Sequence, residues 1–328
     1  MMLEVKNLTI SIRNKNGKIY PLVRNLSYKL EKGKTLAIVG ESGCGKTIQA
    51  MSVMGLLPPN INVTQGQILF QGADILKLPS KERRQINGKE IALVFQDALT
   101  ALNPVLNIRE HLLEIFAART KLYLDEAEDE IKQLLKQVEL PQSILTSYPH
   151  QISGGQRQRV MLALALALKP KLLIADEPTT ALDENTQEQI LKLIKKLQRT
   201  YKMAVIFITH DLILAKEIAD KIFVLYSGTK VEEATSKELF SNPLHPYTYG
   251  LFKSIITKDT PKGIPLFEIC GSVRKTSRLY GCPFKDRCKK SSRVCYKFVP
   301  PLEELRPHHY CACFWAKSVD SQRRQNGL

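Results

Sequence analysis

The chain lacks any run of about 18 apolar residues, the length a helix needs to cross a bilayer. Its best stretch, Val160 to Leu168, is about half that length and ends at Lys169. The start, MMLEVKNLTI, has no long apolar centre of the kind a signal peptide carries and reads as a strand. A cytosolic location is the expectation. Acidic residues are scarce, 32 Asp and Glu against 48 Lys and Arg, for a net charge of +16. Such an excess fits nucleic acid, an anionic membrane surface or phosphate ligands, and does not choose among them. The deficit is deepest at the end, where Lys253 to Leu328 hold sixteen basic and six acidic residues. Cysteine is nearly missing before residue 270: Cys44 stands alone there, and six of the seven follow from Cys270 onward. In a cytosolic chain these point to metal ligation or free thiols rather than disulfides. No internal repeat is found. Apolar residues are not scarce. At 44% of 328 residues they supply a substantial core, which excludes global disorder and allows one large domain with or without a small one.

Short apolar strands alternate with helical patterns. Residues 3–12 alternate as a strand, and TLAIV (35–39) reads as a buried strand followed by a glycine-rich loop and a helix from Thr47 to Leu57. IALVF (91–95) reads as a strand, 109–140 and 155–168 as helical, and KLLIA (171–175) as a strand. The helix of 186–200, the strand AVIFI (204–208), the helix of 211–219 and the strand IFVLY (222–226) continue the alternation. This pattern predicts an α/β fold with a mainly parallel sheet covered on both faces. The character changes near residue 241, where SNPLHPYTYG is rich in proline and aromatics, and TPKGIP (260–265) reads as a linker.

Gly40-Glu41-Ser42-Gly43-Cys44-Gly45-Lys46-Thr47 fits the phosphate-loop pattern in its required context, after a strand and opening a helix. Its backbone N–H groups can curl around phosphates, Lys46 can neutralise the β/γ oxygens, and the Thr47 hydroxyl can ligate Mg²⁺. LLIADE (172–177) ends a buried strand in Asp176 and Glu177, where acidic side chains face the ligand crevice of an α/β sheet. Asp176 would hold Mg²⁺ directly or through water, and Glu177 would polarise the attacking water. Ile152-Ser153-Gly154-Gly155-Gln156 offers a hydroxyl, two glycines that allow close backbone approach, and a helix that begins at once. That helix N-terminus is a second anion site, and one nucleotide cannot occupy two distant phosphate sites in one domain.

In this order the motifs resemble those of ABC ATPases, whose signature usually reads Leu-Ser-Gly-Gly-Gln where this chain has Ile152 first. The resemblance covers residues 1–240. It implies a P-loop NTPase fold, an ABC nucleotide-binding domain with a helical subdomain at about 97–152, and ATP with Mg²⁺ as ligands. By the same resemblance, Ser153, Gly154, Gly155 and Gln156 of one subunit cover the ATP held by the phosphate loop of another. Gln96 matches the Q-loop, which senses Mg²⁺ and touches the transmembrane partner. Asp183, in Ala181-Leu182-Asp183, matches the loop contacting the opposite subunit, and His210 matches the switch histidine that contacts the γ-phosphate. Tyr20 is the candidate for stacking on adenine. Cys44 stands where the family more often has Ser, and a reactive thiol there would make ATP hydrolysis sensitive to oxidation.

FQDALTALNPV (95–105), SYPHQISGGQRQRV (147–160) and NPLHPYTYGL (242–251) are similar to the dipeptide/oligopeptide/nickel importer ATPases. Pro243-Leu244-His245-Pro246-Tyr247-Thr248 is the element specific to that group. The resemblance implies a pair of homologous ATPase subunits, two transmembrane permease subunits and an extracytoplasmic binding protein, with this chain at the cytoplasmic face of the membrane. Peptides are the expected cargo, with nickel or a metal chelate as the alternative. Residues 241–328 would form a small Cys-rich C-terminal extension. Cys282 and Cys288 are separated by five residues, Cys288 and Cys295 by six, and Cys313 follows. Four soft thiolates suit zinc or an iron–sulfur cluster, and the residues alone favour Zn²⁺. The resemblance implies instead a 4Fe–4S cluster on Cys282, Cys288, Cys295 and Cys313, with Cys311 as a substitute for the last. A soluble ABC protein acting on nucleic acid is the distant alternative. Such proteins usually carry two ATPase cores or a long coiled coil, and this chain has neither, so no nucleic-acid partner is expected.

Overall fold

Two sheets divide the apolar residues of the chain. The structure, a computed structural model, describes residues 1–96, 98–119, 124–255, 267–272 and 280–318. TPKGIP, read above as a linker, lies outside the described residues. In the first sheet β1 (Leu3–Arg13) pairs antiparallel with β2 (Ile19–Leu30) on one side and β4 (Ile61–Phe70) on the other, and β4 with the short β5 (Ala73–Asp74). The second sheet has a parallel centre made of β3 (Thr35–Val39), β6 (Ile91–Val94), β7 (Leu172–Asp176), β8 (Ala204–Thr209) and β9 (Lys221–Tyr226). β10 (Thr229–Thr235) turns back beside β9, and β11 (Glu303–Arg306) and β12 (His309–Cys311) extend it antiparallel, giving the order β11-β12-β10-β9-β3-β8-β7-β6.

Helices connect the parallel strands. α1 (Lys46–Met54) follows β3 and α2 (Ser80–Ile86) precedes β6. Between β6 and β7 come α3 (Ala98–Ala101), α4 (Ile108–Arg119), α5 (Leu124–Gln137) and α6 (Gly154–Leu166). α7 (Glu184–Tyr201) leads to β8 and α8 (Leu212–Ile218) to β9. α9 (Ser236–Ser241) and α10 (Pro246–Lys253) follow β10, and α11 (Arg293–Lys297) lies in the Cys-rich stretch.

Period-two alternation sorts the core strands between three apolar clusters. Leu36, Ile38, Leu172, Ile174, Ile206 and Ile208 face the antiparallel sheet, meeting Leu3, Val5, Leu8, Ile10 and Leu26. Leu173, Ala175, Val205 and Phe207 face the helices, packing with Leu112, Ile131, Leu135, Val160, Leu162 and Ile194. Ala37, Val39, Ile222 and Val224 meet Leu212, Tyr247, Phe284, Cys282 and Cys295. The third cluster roots the C-terminal stretch on the central strand, and β12 joins it to the same sheet.

The structure departs from the expected two-faced helical cover in one respect. Much of one face is covered by the antiparallel sheet. β1 declared itself by alternation, but its pairing with β2 shifts register at Val5/Leu8, Leu8/Ile10 and Ile10/Ser11, so no long clean alternation marks the partners.

Candidate nucleotide site

Four parallel strands deliver their C-terminal ends to one place. The phosphate loop leaves β3, Gln96 follows β6, Asp176 and Glu177 end β7, and His210 follows β8. A cavity of about 510 Å³ opens there, lined by Gly40, Glu41, Ser42, Gly43, Gly45, Lys46 and Thr47 with Gln96, Glu177 and His210. Leu22, Ile48 and Leu251 add an apolar wall. This size suits a nucleotide-scale ligand.

The loop is shaped to aim Lys46. Gly45 sits at φ +107°, a conformation open to glycine, and starts α1 with its free N–H groups facing the cavity end. Lys46 is only 5% exposed, and its Nζ donates to the carbonyls of Gly40 at 2.8 Å and Glu41 at 3.2 Å. Glu177 Oε1 lies 3.7 Å away. The ammonium is thus parked on weak acceptors at the mouth of the loop, ready to exchange them for phosphate oxygens.

Glu177 is held by three donors. Its Oε2 lies 3.1 Å from Gln96 Nε2, from His210 Nδ1 and from Thr180 Oγ1. With the carboxylate ionised, the His210 contact requires the proton on Nδ1. The Glu177 backbone adopts φ +47°, and its N–H donates to Ile208 O at 2.9 Å, which turns the side chain toward the cavity. Asp211 caps α8 by accepting from Ile213 N at 2.7 Å, and this fixes the turn that presents His210. Thr180 was not among the expected residues. A Thr three positions after Glu177 is common in turns and carries no signal until the carboxylate's position is known.

Asp176 is 4% exposed, and among the described residues its Oδ1 has no hydrogen-bond partner. Burial pushes its carboxyl up, while a hydrogen bond with Thr47 and the charge of Lys46 pull it down. An orphaned carboxylate oxygen beside a threonine hydroxyl is a hard, anionic donor set that fits Mg²⁺.

The signature stands apart. Ser153 N-caps α6 in a capping box: Gln156 N donates to its Oγ at 3.3 Å, and its own N–H donates to Gln156 Oε1 at 2.9 Å. A Cβ on Gly155 would lie 2.7 Å from Thr186 Cγ2, so this glycine also lets α6 pack against the start of α7. Asp183 caps that helix, accepting from Thr186 N at 3.0 Å and Thr186 Oγ1 at 2.6 Å. None of Ser153, Gly154, Gly155, Gln156 or Asp183 lines the cavity.

One expectation is corrected, that of a reactive thiol at Cys44. Tyr20 does not line the cavity; Leu22, two positions along β2, does. Cys44 points away from the cavity into the core, 1% exposed, and burial pushes its thiol up to about 11. A protonated, enclosed thiol is not the oxidation-sensitive group expected there. A preformed shell on Cys282, Cys288, Cys295 and Cys313 is also not found, since among the described residues no three His, Cys, Asp or Glu are set to hold a metal ion. The four are free thiols within electrostatic reach of one another. Cys282 is raised to about 12, chiefly by burial and then by Cys295, Cys313 and Cys288. Cys311 is on the sheet opposite Glu232 and is buried with Leu305 and Ala316.

Residues 23–180 match the family model described as ABC transporter, and residues 231–295 match that described as the C-terminal region of oligopeptide/dipeptide transporters. The chain is 44% identical to the dipeptide transport ATP-binding protein DppD of Bacillus subtilis (strain 168), over 100% of this chain and 97% of that one. It is 40% identical to the oligopeptide transport ATP-binding protein OppD of Escherichia coli (strain K12), over 95% and 93%. Among solved structures, the post-hydrolysis dimer of the ATP-binding cassette MJ0796 bound to ADP and Pi superposes with a TM-score of 0.65. It shares 29% identity and covers 72% of this chain and 99% of its own. With a phosphate loop, an acidic strand end and a signature in one α/β core, and with full-length relatives at this identity, the chain belongs to the ATP-binding subunits of the dipeptide/oligopeptide branch of the ABC transporter family.

Proposed function

We propose that this ATPase powers the uptake of di- and oligopeptides as one of two homologous ATPase subunits. They would sit at the cytoplasmic face of the membrane under two permease subunits supplied by an extracytoplasmic binding protein. The observation that carries the reading is the separation of the two anion sites. The cavity holds Lys46, Thr47 and Glu177, while the Ser153 helix start lies outside it. A closed site then needs the signature of a second subunit.

In the proposed cycle, ATP phosphates settle on the loop N–H groups and Lys46 transfers from the Gly40 and Glu41 carbonyls to phosphate oxygens. Thr47 and Asp176 would hold Mg²⁺, which would supply charge neutralisation for the phosphates. Glu177, kept in place by Gln96, Thr180 and His210, orients the attacking water, and His210 reports on the γ-phosphate. Residues 1–240 carry this chemistry, and 241–328 form the extension, although Leu251 reaches the cavity.

One observation favours the transport role. An apolar groove of about 400 Å³ runs beside the Gln96 strand end, lined by Leu56, Phe95, Ile115, Met161 and Leu164. Leu56 and Phe95 are exposed there at 48% and 40%, which suits an apolar segment of a membrane subunit. No helix among the described residues is long and apolar enough to cross a membrane. Relatives named for dipeptide and oligopeptide transport favour peptides over nickel. ATP-dependent peptide uptake into vesicles holding the assembled complex tests the reading. Uptake independent of this subunit, or of its Glu177, would refute it.

The four C-terminal thiols are proposed to hold a 4Fe–4S cluster of structural purpose. Their electrostatic reach of one another supports this, as does the place of Cys282, Cys288 and Cys295 in the apolar cluster under β3 and β9. The likeness to peptide-importer ATPases, rather than the residues themselves, favours the cluster over zinc.

A further inference from the structure

The Tyr of the His245-Pro246-Tyr247 element touches the phosphate loop. Tyr247 is fully buried, and its hydroxyl accepts the backbone N–H of Glu41 at 3.0 Å. The side chain of Glu41 is held from the same region: Arg287 NH1 lies 2.9 Å from Glu41 Oε2. Arg287 is itself fixed, donating from Nε to Cys270 O and from NH2 to Ile269 O, both at 3.0 Å, and stacking on Tyr226. Tyr226 packs edge on against Tyr247 and Phe284, which tilt against each other, with ring centroids 4.7 to 5.4 Å apart.

Behind Tyr247 stands a chain of buried polar contacts. Glu232 Oε1 and Oε2 accept the N–H groups of Leu244 at 2.7 Å and His245 at 3.0 Å, and Oε1 also faces His309 Nε2 at 2.7 Å. His245 Nδ1 then accepts Tyr247 N–H at 3.0 Å, capping α10 with Pro246 in its first turn. Each link leaves the Tyr247 hydroxyl one direction to point. On the other side of Glu41, its carbonyl and that of Gly40 hold the Lys46 ammonium.

We propose that Tyr247 and Arg287 are positioning residues of the nucleotide site: by gripping Glu41 from the backbone and the side chain, the C-terminal region holds the loop in the shape that aims Lys46 at phosphate. The inference rests on the assignment of the cavity to ATP. Preorganisation of this kind acts on nucleotide affinity before chemistry, so its loss shows in Kd and KM rather than in kcat.

The test uses the full-length chain with a fluorescent ATP analogue for Kd, and the assembled transporter for KM and kcat. Tyr247→Phe removes one hydroxyl and keeps the ring; Arg287→Met keeps the stem and removes the donors. Each is expected to raise Kd and KM about three- to tenfold, with kcat within about twofold of wild type. Glu41→Gln, which keeps an acceptor for Arg287, is expected to lose less affinity than Glu41→Ala. Phe284→Leu, in the same aromatic cluster but without contact to Glu41, is expected to lower the melting temperature and leave Kd unchanged. Folded Tyr247→Phe protein with wild-type Kd and KM would overturn the proposal, and this variant decides the matter if Arg287→Met does not fold. Parallel loss of affinity and melting temperature in all variants, Phe284→Leu included, would also overturn it, by showing a merely structural role. Wild-type protein that binds no ATP would overturn the cavity assignment and this inference with it.

Discussion

The Nδ1 atom of His210 lies 3.1 Å from Oε2 of Glu177, although the two residues come from different strand ends. Gln96 and Thr180 reach the same oxygen, so the carboxylate is placed before any substrate arrives. Glu177→Gln keeps the shape and removes the charge that polarises water. It is expected to bind ATP normally and to lose about 10²- to 10⁴-fold in turnover. Near wild-type hydrolysis by this variant in the assembled transporter would remove Glu177 from the mechanism.

Lys46→Ala acts on binding. The lysine is buried, and among the described residues its acceptors are two carbonyls and the edge of Glu177, so its charge is kept for an anion. Titration calorimetry is expected to show a loss of about 2 kcal/mol, roughly 30-fold in Kd, from removal of a charge-assisted contact. Unchanged affinity would mean that phosphates sit elsewhere.

Assembly governs rate. Because Ser153 and its helix start lie outside the cavity, the purified chain is expected to hydrolyse ATP slowly. The rate should rise with protein concentration and on adding the partner ATPase and membrane subunits. Fast, concentration-independent hydrolysis by a strict monomer would contradict the shared site.

Thiol chemistry separates two cysteines. Cys44 is buried with its pKa near 11, whereas Cys270 is exposed. The upward shift keeps Cys44 almost wholly protonated, and so a poor nucleophile, at neutral pH. Alkylation at neutral pH followed by peptide mapping is expected to label Cys270 first and leave Cys44 and ATP hydrolysis intact. Rapid inactivation traced to Cys44 would show that the loop opens far enough to expose it.

The proposed cluster has a compositional readout. Anaerobically purified protein is expected to be brown, with iron and acid-labile sulfide near about four each per chain. Replacement of Cys282, Cys288, Cys295 or Cys313 should abolish the colour and increase proteolysis of the C-terminal region. Colourless anaerobic protein with about one zinc per chain would replace the cluster by a zinc site.

The phosphate loop was readable from Gly40 to Thr47 because its shape is local: a strand, glycines that permit unusual φ, and a helix start lie within a few residues. The same holds for the helix start at Ser153 and for the acidic end of β7, and strand–helix alternation was enough to place the parallel core. The convergence of Gln96, Glu177 and His210 was foreseen through family likeness, but its physical cause is the sheet order, which sets β6, β7, β8 and β3 side by side with their C-terminal ends together. Only the tertiary structure decided the rest. Tyr247 and Arg287 meet Glu41 across 206 and 246 residues, and Glu232 meets His309 across 77. No local pattern encodes such contacts, because they form only when the C-terminal stretch packs on the face of β3 and β9. The fate of Cys44 turned on the same packing. A thiol in a glycine-rich loop reads as reactive until the fold shows which way the side chain points, and here it points into the core, where desolvation holds its proton.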